Sequence, residues 1–466
     1  MATYFLDVEG GNDANDGTTF ANRWKTINSG ATAARIAPGD TIRVMASEDP
    51  TSLGINVTFT NNSPTLTLAS ALTSLITNCD TAWTASANVT CTADTSRYLT
   101  STGCARQAIA AGFTTGKVAY LGLGSAVDFS AYQGITFGII ASNTPPADGT
   151  FELKLCSDTT GDTPVDTFSI TGHRGVLVWE RMHIDKGSAL GASIQSIALY
   201  ATVDPGAIDI YLDNINATKA VGADCLNLTT LIGKNNGADG GWDPIRAING
   251  TTVTIDTAGA ATNSPASVAP GFYGTTSTET GYIRKPIRIE VNAATDWGTI
   301  QDSGTAGSLI TFSGGWNRTD MTTQTGDTYI DSGAEIGRMI AMKPYTTVDK
   351  IHPVRFNIGI FASSQSNWSL GDVRPIMCAA GVSSTSVENI DITSLISNGC
   401  LNSIDVSGAR NVRIATLTAY NGSYSTSFIY STIFCGLFNN LTNNVRIETL
   451  TIKAPMPWGG VGIRGP

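Results

Sequence analysis

The sequence predicts an all-β protein in which parallel β-helix (solenoid) segments carry an inserted β-sandwich. Three observations predict it. The first is composition: of 466 residues only 14% are charged, where about 25% is usual. Thr, Ser, Asn and 49 Gly take the place of charge, while 41% apolar residues suffice for a core. Thr is β-branched and suits a pleated, half-buried surface, and Gly, Asn and Asp supply tight turns. The second is a run of short strands at even spacing, each bounded by Gly, Pro, Asp or Ser. The third is a set of three related alternating segments near the C-terminus.

The first element, residues 1–74, begins with a strand at Tyr4 to Val8, a polar turn, a stretch with helical character from Asn28 to Ile36, and a strand at Thr41 to Val44. Four features carry a resemblance: Asp7; the turn Gly11-Asn12-Asp13-Ala14-Asn15-Asp16-Gly17; the run Trp24-Lys25-Thr26-Ile27; and Pro38-Gly39-Asp40-Thr41-Ile42. Together they resemble the N-terminal start of right-handed parallel β-helix proteins, common among phage tailspikes and polysaccharide lyases. The resemblance is confined to the start of the chain and speaks to architecture rather than chemistry. It implies a helix capping the open end of the solenoid.

Residues 75–220 hold the evenly spaced strands and read as a β-sandwich. Asp128-Phe129-Ser130-Ala131-Tyr132 with Ile135-Thr136-Phe137, and Tyr211-Leu212-Asp213-Asn214-Ile215, resemble the opening and closing strands of jelly-roll carbohydrate-binding modules. Residues 221–347 form a less regular β-rich region, expected to continue the solenoid, with a decorating loop from Ala258 to Thr280. Residues 348–466 contain VENIDITSL (387–395), VRIATLTAY (412–420) and VRIETLTIK (445–453), which begin at Val387, Val412 and Val445. These read as stacked coils, the three valines in equivalent places, with Asn at the corners. There Asn takes the left-handed conformation and bonds its neighbours above and below. An antiparallel meander is the alternative.

Net charge is −10 with a pI near 4.8, which disfavours nucleic acid and anionic membrane surfaces as partners. No apolar run reaches the ~18 residues of a membrane span. The N-terminus has no basic region followed by an apolar one, so synthesis in a host cytoplasm without a secretory signal is expected. The eight Cys form no C-x-x-C pair, and His173, His183 and His352 are isolated, so a zinc site has little support.

No catalytic residue emerges. Asp391 alternates with Ile390 and Ile392 and is expected to face solvent, as are Glu388, Asp405 and Glu448. Tyr132, Trp179 and Tyr200 are candidates for stacking on sugar rings, with burial in the core as the competing reading. By the jelly-roll resemblance, Asp213 matches a carboxylate that helps hold a structural Ca²⁺; local turn bonding is the alternative. Cys91 and Cys104 fall nearly opposite each other if their strands form a hairpin centred near Tyr98, which allows either a disulfide or two facing thiols.

These features point to a bacteriophage virion protein (tailspike, tail fibre or head fibre) that assembles as a homotrimer with other virion proteins and contacts host surface polysaccharide. A β-helix lyase or hydrolase of capsule or lipopolysaccharide is the second reading. A capsid or tail decoration protein without ligand is the third.

Overall fold

The computed structural model describes residues 1–27, 36–47, 56–60, 65–68, 71–143, 145–171, 173, 179–219, 230–232, 242–255, 278–284, 287–289, 296–332, 337–376, 378–398, 400, 402–406, 409–420, 433–434 and 443–453. These residues contain strands and no helix, so none is long and apolar enough to cross a membrane. The stretch from Asn28 to Ile36 and the loop from Ala258 lie almost wholly outside the described residues.

Three parallel sheets face one apolar core. The longest runs Thr3–Leu6, Thr41–Met45, Ile310–Trp316, Thr346–Asp349, Trp368–Val373, Glu388–Asn398, Arg410–Tyr420, Asn443–Lys453. A second has three strands: Ile287–Arg288, Thr328–Asp331 and Ile351–Val354. A third has six, from Asp296–Thr299 to Ile433–Phe434. From Ile310 onward the chain visits the sheets in turn, so each circuit adds one strand to each stack as far as Val354.

Interior positions stack residue on residue: Ile390 on Val412 on Val445, Ile392 on Ile414 on Ile447, Leu395 on Leu417 on Leu450. The register therefore sets Val412 against Ile390 and not against Val387, the valine that begins the first repeat, whereas Val445 does sit on Val412. Asp391 points outward and meets Arg413 at 2.8 Å. At the corners Asn367, Asn389, Asn411 and Asn444 all have positive φ, between 54° and 65°. Their amides form a ladder of 2.8, 3.0 and 3.2 Å bonds from coil to coil.

The N-terminal polar turn serves this stack. Trp24 is buried, lies flat on Tyr4 at 4.9 Å, and donates its indole N–H to the Asn15 carbonyl. Asp13 accepts the amides of Lys25 and Thr26 and the Thr26 hydroxyl, fixing the approach to Trp24. Gly17, at φ 71°, sits so close to the indole that a Cβ would lie 2.4 Å from it.

Two antiparallel units interrupt the stack. One is a closed six-stranded barrel of Asn56–Thr60, Thr65–Leu68, Thr230–Ile232, Trp242–Asn249, Thr252–Ile255 and Thr278–Arg284. This corrects the expectation of a solenoid for the strands between Thr230 and Arg284, whereas those from Ile287 to Asp349 do join the parallel sheets. Thr65–Leu68 pairs with Thr252–Ile255 and Asn56–Thr60 with Thr278–Arg284, across the whole sandwich, which no local pattern encodes.

The other is a sandwich of two antiparallel sheets around one core. The first sheet runs Glu180–Asp185, Gly134–Ala141, Ile208–Thr218, Cys104–Ile109, Val89–Asp94, with Thr73–Thr77 also on Ile208–Thr218. The second runs Pro164–Ser169, Phe151–Cys156, Ile194–Ala201, Gly116–Val127, Thr84–Ala85. The alternation expected of half-buried strands is plain in Phe151–Cys156, where Phe151, Leu153 and Leu155 enter the core while Glu152 and Lys154 do not.

Candidate functional site

Trp179 and Tyr200 lie toward the outer faces of the two sandwich sheets, so those faces decide whether either ring is open for stacking. Each face is partly covered by the chain itself. Over the first sheet lies the hairpin loop 95–103. Its Leu99 packs with Cys104, Ile140, Trp179 and Tyr211 in a separate apolar cluster. Gly138 makes room for it: a Cβ there would come within 2.0 Å of Leu99 and 3.1 Å of Trp179. Trp179 is thus a buried packing residue and offers no open stacking face.

Asp213 anchors this loop. Its Oδ2 accepts the amides of Leu99 (2.5 Å) and Thr100 (3.0 Å), while Oδ1 is buried and has no hydrogen-bond partner among the described residues. Asp80 accepts the amides of Thr102 and Gly103 in the same way. Burial pushes the Asp213 carboxyl up to about 7, and the backbone bonds only partly offset it. The residues present do not fit a Ca²⁺ site. Ca²⁺ needs 6–8 oxygens, whereas N–H groups converge on Oδ2, and among the described residues no three His, Cys, Asp or Glu side chains cluster as ligands. Nor is the geometry the local turn bonding expected as the alternative: Asp213 bonds the backbone of a loop more than a hundred residues away in sequence.

The Cys91–Cys104 bridge is also corrected. The hairpin forms, but Asp94 stands opposite Cys104 and Cys91 opposite Gln107. The register differs by an odd number of residues from the expected one. Since side chains alternate, the thiols fall on opposite faces. Cys91 packs toward the sandwich core and Cys104 under the 95–103 loop, and both are free.

The second sheet presents Glu152, Lys154, Tyr200, Lys117, Tyr120 and Ser196 outward. Lys154 Nζ stands 4.1 Å from the Tyr200 ring centroid and 3.1 Å from Glu152. Across this face runs the strap 157–163, which joins Phe151–Cys156 to Pro164–Ser169. Tyr200 donates its hydroxyl to the Gly161 carbonyl at 2.7 Å, and Ser196 donates to the Asp158 carbonyl at 2.6 Å. Lys117 Nζ donates to the Thr160 carbonyl at 2.8 Å and to Asp162 at 2.5 Å. Gly161, at φ 76°, lies so low that a Cβ would be 2.9 Å from the Cβ atoms of Tyr120 and Ala198. Asp158 ties the strap internally by accepting the amides of Thr160, Asp162 and Thr163. The Thr160 hydroxyl and these amides hold its carboxyl well below the usual range.

Tyr132 is half-buried at the sandwich edge, 6.4 Å from Phe129 in an edge-on pair. The three aromatic candidates therefore do not form one platform. Tyr200 alone belongs to a polar aromatic face, together with Tyr120, Lys117 and Lys154, which the sequence reading did not single out. The register of Phe151–Cys156, Ile194–Ala201 and Gly116–Val127 brings them together.

On the parallel stack a second polar group was also missed. Arg374 pairs with Asp372 (2.5 Å) and Asp327 (3.5 Å) at one corner. Buried His352 accepts the Arg374 amide on Nδ1, which leaves its proton on Nε2, 3.4 Å from Asp327. Burial lowers the His352 pKa, so the ring is neutral. Glycoside hydrolysis needs a carboxyl kept protonated as acid beside a second carboxylate. Here one guanidinium engages both carboxylates.

No family model matches the chain, and no curated protein matches it. Among solved structures it is similar to arabinose-bound MgGH51 α-L-arabinofuranosidase (13% identity, TM-score 0.25), covering 32% of this chain and 26% of that one. The chain thus spans about a quarter of that enzyme's length. It is also similar to the CBM22-1 xylan-binding domain of Paenibacillus barcinonensis Xyn10C (15% identity, TM-score 0.21), covering 38% of this chain and 98% of the domain. The catalytic unit of the GH87 α-1,3-glucanase from Streptomyces thermodiastaticus matches at 9% identity and TM-score 0.23, covering 76% of this chain and 69% of that one. At such scores the all-β assignment rests on the strand pairing described above.

Proposed function

We propose that the chain is a glycan-contacting structural protein of a bacteriophage particle: a tailspike, tail fibre or head fibre whose parallel stack is a β-helix carrying the jelly roll as a host-facing module. The observation that carries this reading is the insertion. Thr41–Met45 pairs in parallel with Ile310–Trp316, so the stack is continuous across the interruption. The barrel and sandwich form one excursion of the chain between residues 46 and 286. A stack with an interior of superposed Ile, Val and Leu suits a rod, and an inserted module suits presentation of a binding face. Neither requires a catalytic group.

Binding of the intact chain to an array of bacterial surface polysaccharides and lipopolysaccharide chains tests this. Specific binding is expected. A silent array together with tight attachment to particles would favour a decoration protein without ligand. The hydrolase reading has its own test, release of reducing ends from capsule or lipopolysaccharide. None is expected; release that disappears in Asp327→Asn and Asp372→Asn would put an enzyme in place of the binding protein.

A further inference from the structure

The geometry points to the outer face of the second sandwich sheet as a latent site for a uronic-acid-bearing oligosaccharide, held closed by the strap 157–163 acting as its internal ligand. The inference deepens the glycan-contacting reading and rests on it. Three observations carry it.

First, the strap touches the face in the manner of a bound saccharide. Two main-chain oxygens, of Gly161 and Thr160, take hydrogen bonds from Tyr200 and Lys117, and a third, of Asp158, takes one from Ser196. Sugar hydroxyls and ring oxygens supply acceptors of the same kind. Second, the strap places a carboxylate on the face. Asp162 pairs with Lys117 at 2.5 Å and accepts the Thr160 hydroxyl at 2.9 Å, where the carboxylate of a uronate would meet the lysine. Moving the strap aside removes Asp158 and Asp162 and leaves Lys117 and Lys154 against Glu152, an excess of positive charge in an otherwise acidic protein. Third, the strap's closest approach is a glycine. Only a residue without Cβ lies this near Tyr120 and Ala198, and removing it would uncover Tyr120 as well as Tyr200. Two tyrosines beside two lysines form a surface on which a sugar ring can stack while its carboxylate is paired.

The strap joins adjacent antiparallel strands, Phe151–Cys156 and Pro164–Ser169, so it can be replaced by a tight turn. Two full-length variants test the inference by titration calorimetry at low salt, with tetragalacturonate and neutral cellotetraose as probes. One replaces residues 158–163 by Asn-Gly. The other, Gly161→Val, keeps the chain length and forces the strap off the face; it decides the matter if the first does not fold. Cooperative melting like that of the unaltered protein establishes that each is native.

Both variants are expected to bind tetragalacturonate at least tenfold more tightly than the unaltered protein and several-fold more tightly than cellotetraose. Adding Lys117→Ala should cancel the gain. The inference is overturned if native-like variants gain no affinity, if they gain equally for both probes, or if Lys117→Ala leaves the gain intact. The broader glycan reading fails separately. A silent array for the unaltered protein would sink that reading, whereas a binding array beside native strap variants that gain no tetragalacturonate affinity would sink the latent site and leave glycan contact standing elsewhere on the chain.

Discussion

Asp213 shows how one residue is read differently once its neighbours are known. Its place on the closing strand suggested a metal ligand, yet its carboxylate latches a loop through two amides. A carboxyl raised to about 7 binds its proton more tightly folded than unfolded. Between about pH 4 and pH 7 the folded state keeps a proton that the unfolded chain loses, so stability falls as pH rises through that window. The full difference is on the order of 4 kcal/mol. Asp213→Asn keeps an acceptor for Leu99 and Thr100 and removes the charge. Urea unfolding at pH 4.5, 6 and 8 should show the variant losing less stability than the parent as pH rises; parallel pH dependences would refute this account. The thiols give a second residue-scale expectation. Burial pushes Cys91 up to about 11 and Cys104 higher, so both should be slow to alkylate in the native protein. Both should alkylate fully once it is denatured without reductant.

At the scale of elements, the stack is governed by its register. Asn411 holds φ 54° and bonds both Asn389 and Asn444. Asn411→Gly should lose the ladder while tolerating the backbone. Asn411→Ala must also bear left-handed strain of about 1–2 kcal/mol. Chemical denaturation should therefore rank Asn above Gly above Ala, and an Ala variant as stable as Gly would show the strain to be absent. The coil length is testable by deletion. Removing 390–411 sets Val412 in the place of Ile390, its register partner on the neighbouring strand. That protein should stay soluble and unfold cooperatively. Removing 387–411, the interval between the valines that begin the first two motifs, also deletes Val387, Glu388 and the corner Asn389. It should fold poorly, and equal behaviour of the two deletions would show that the register does not set the coil.

For the whole molecule, we propose a homotrimer, with the flanks of the parallel stack meeting in threefold association. Sedimentation equilibrium at micromolar concentration should give three times the 48.6 kDa chain mass; a single-chain mass would overturn it. Circular dichroism should show a β spectrum with helix far below the roughly one third of an average soluble protein. Each outer face of the sandwich is partly covered by one of its own loops, 95–103 on the first sheet and 157–163 on the second. That arrangement makes the strap, rather than an open aromatic platform, the element to alter first.

Features that depend on neighbours along the chain were legible in the amino-acid order. Alternation assigned the strands and sent Asp391 outward. Turn chemistry placed Asn411 and Asn444 at corners, because a left-handed position selects residues that tolerate it. Composition pointed away from a helical protein. Whatever depends on register or on distant pairing waited for the folded chain. The partner of Cys91 is Gln107 rather than Cys104, and that odd offset reverses the face. The barrel joins residues 56–68 to residues 230–284, and Thr41–Met45 finds Ile310–Trp316 across the whole insertion. Tyr200, Tyr120, Lys117 and Lys154 share a face only because three strands align, and the strap lies on them only because Gly161 carries no side chain. Local preference is set by each residue's own geometry, whereas these contacts are chosen by the packing of the two sheets against their common core, which no short stretch of sequence contains.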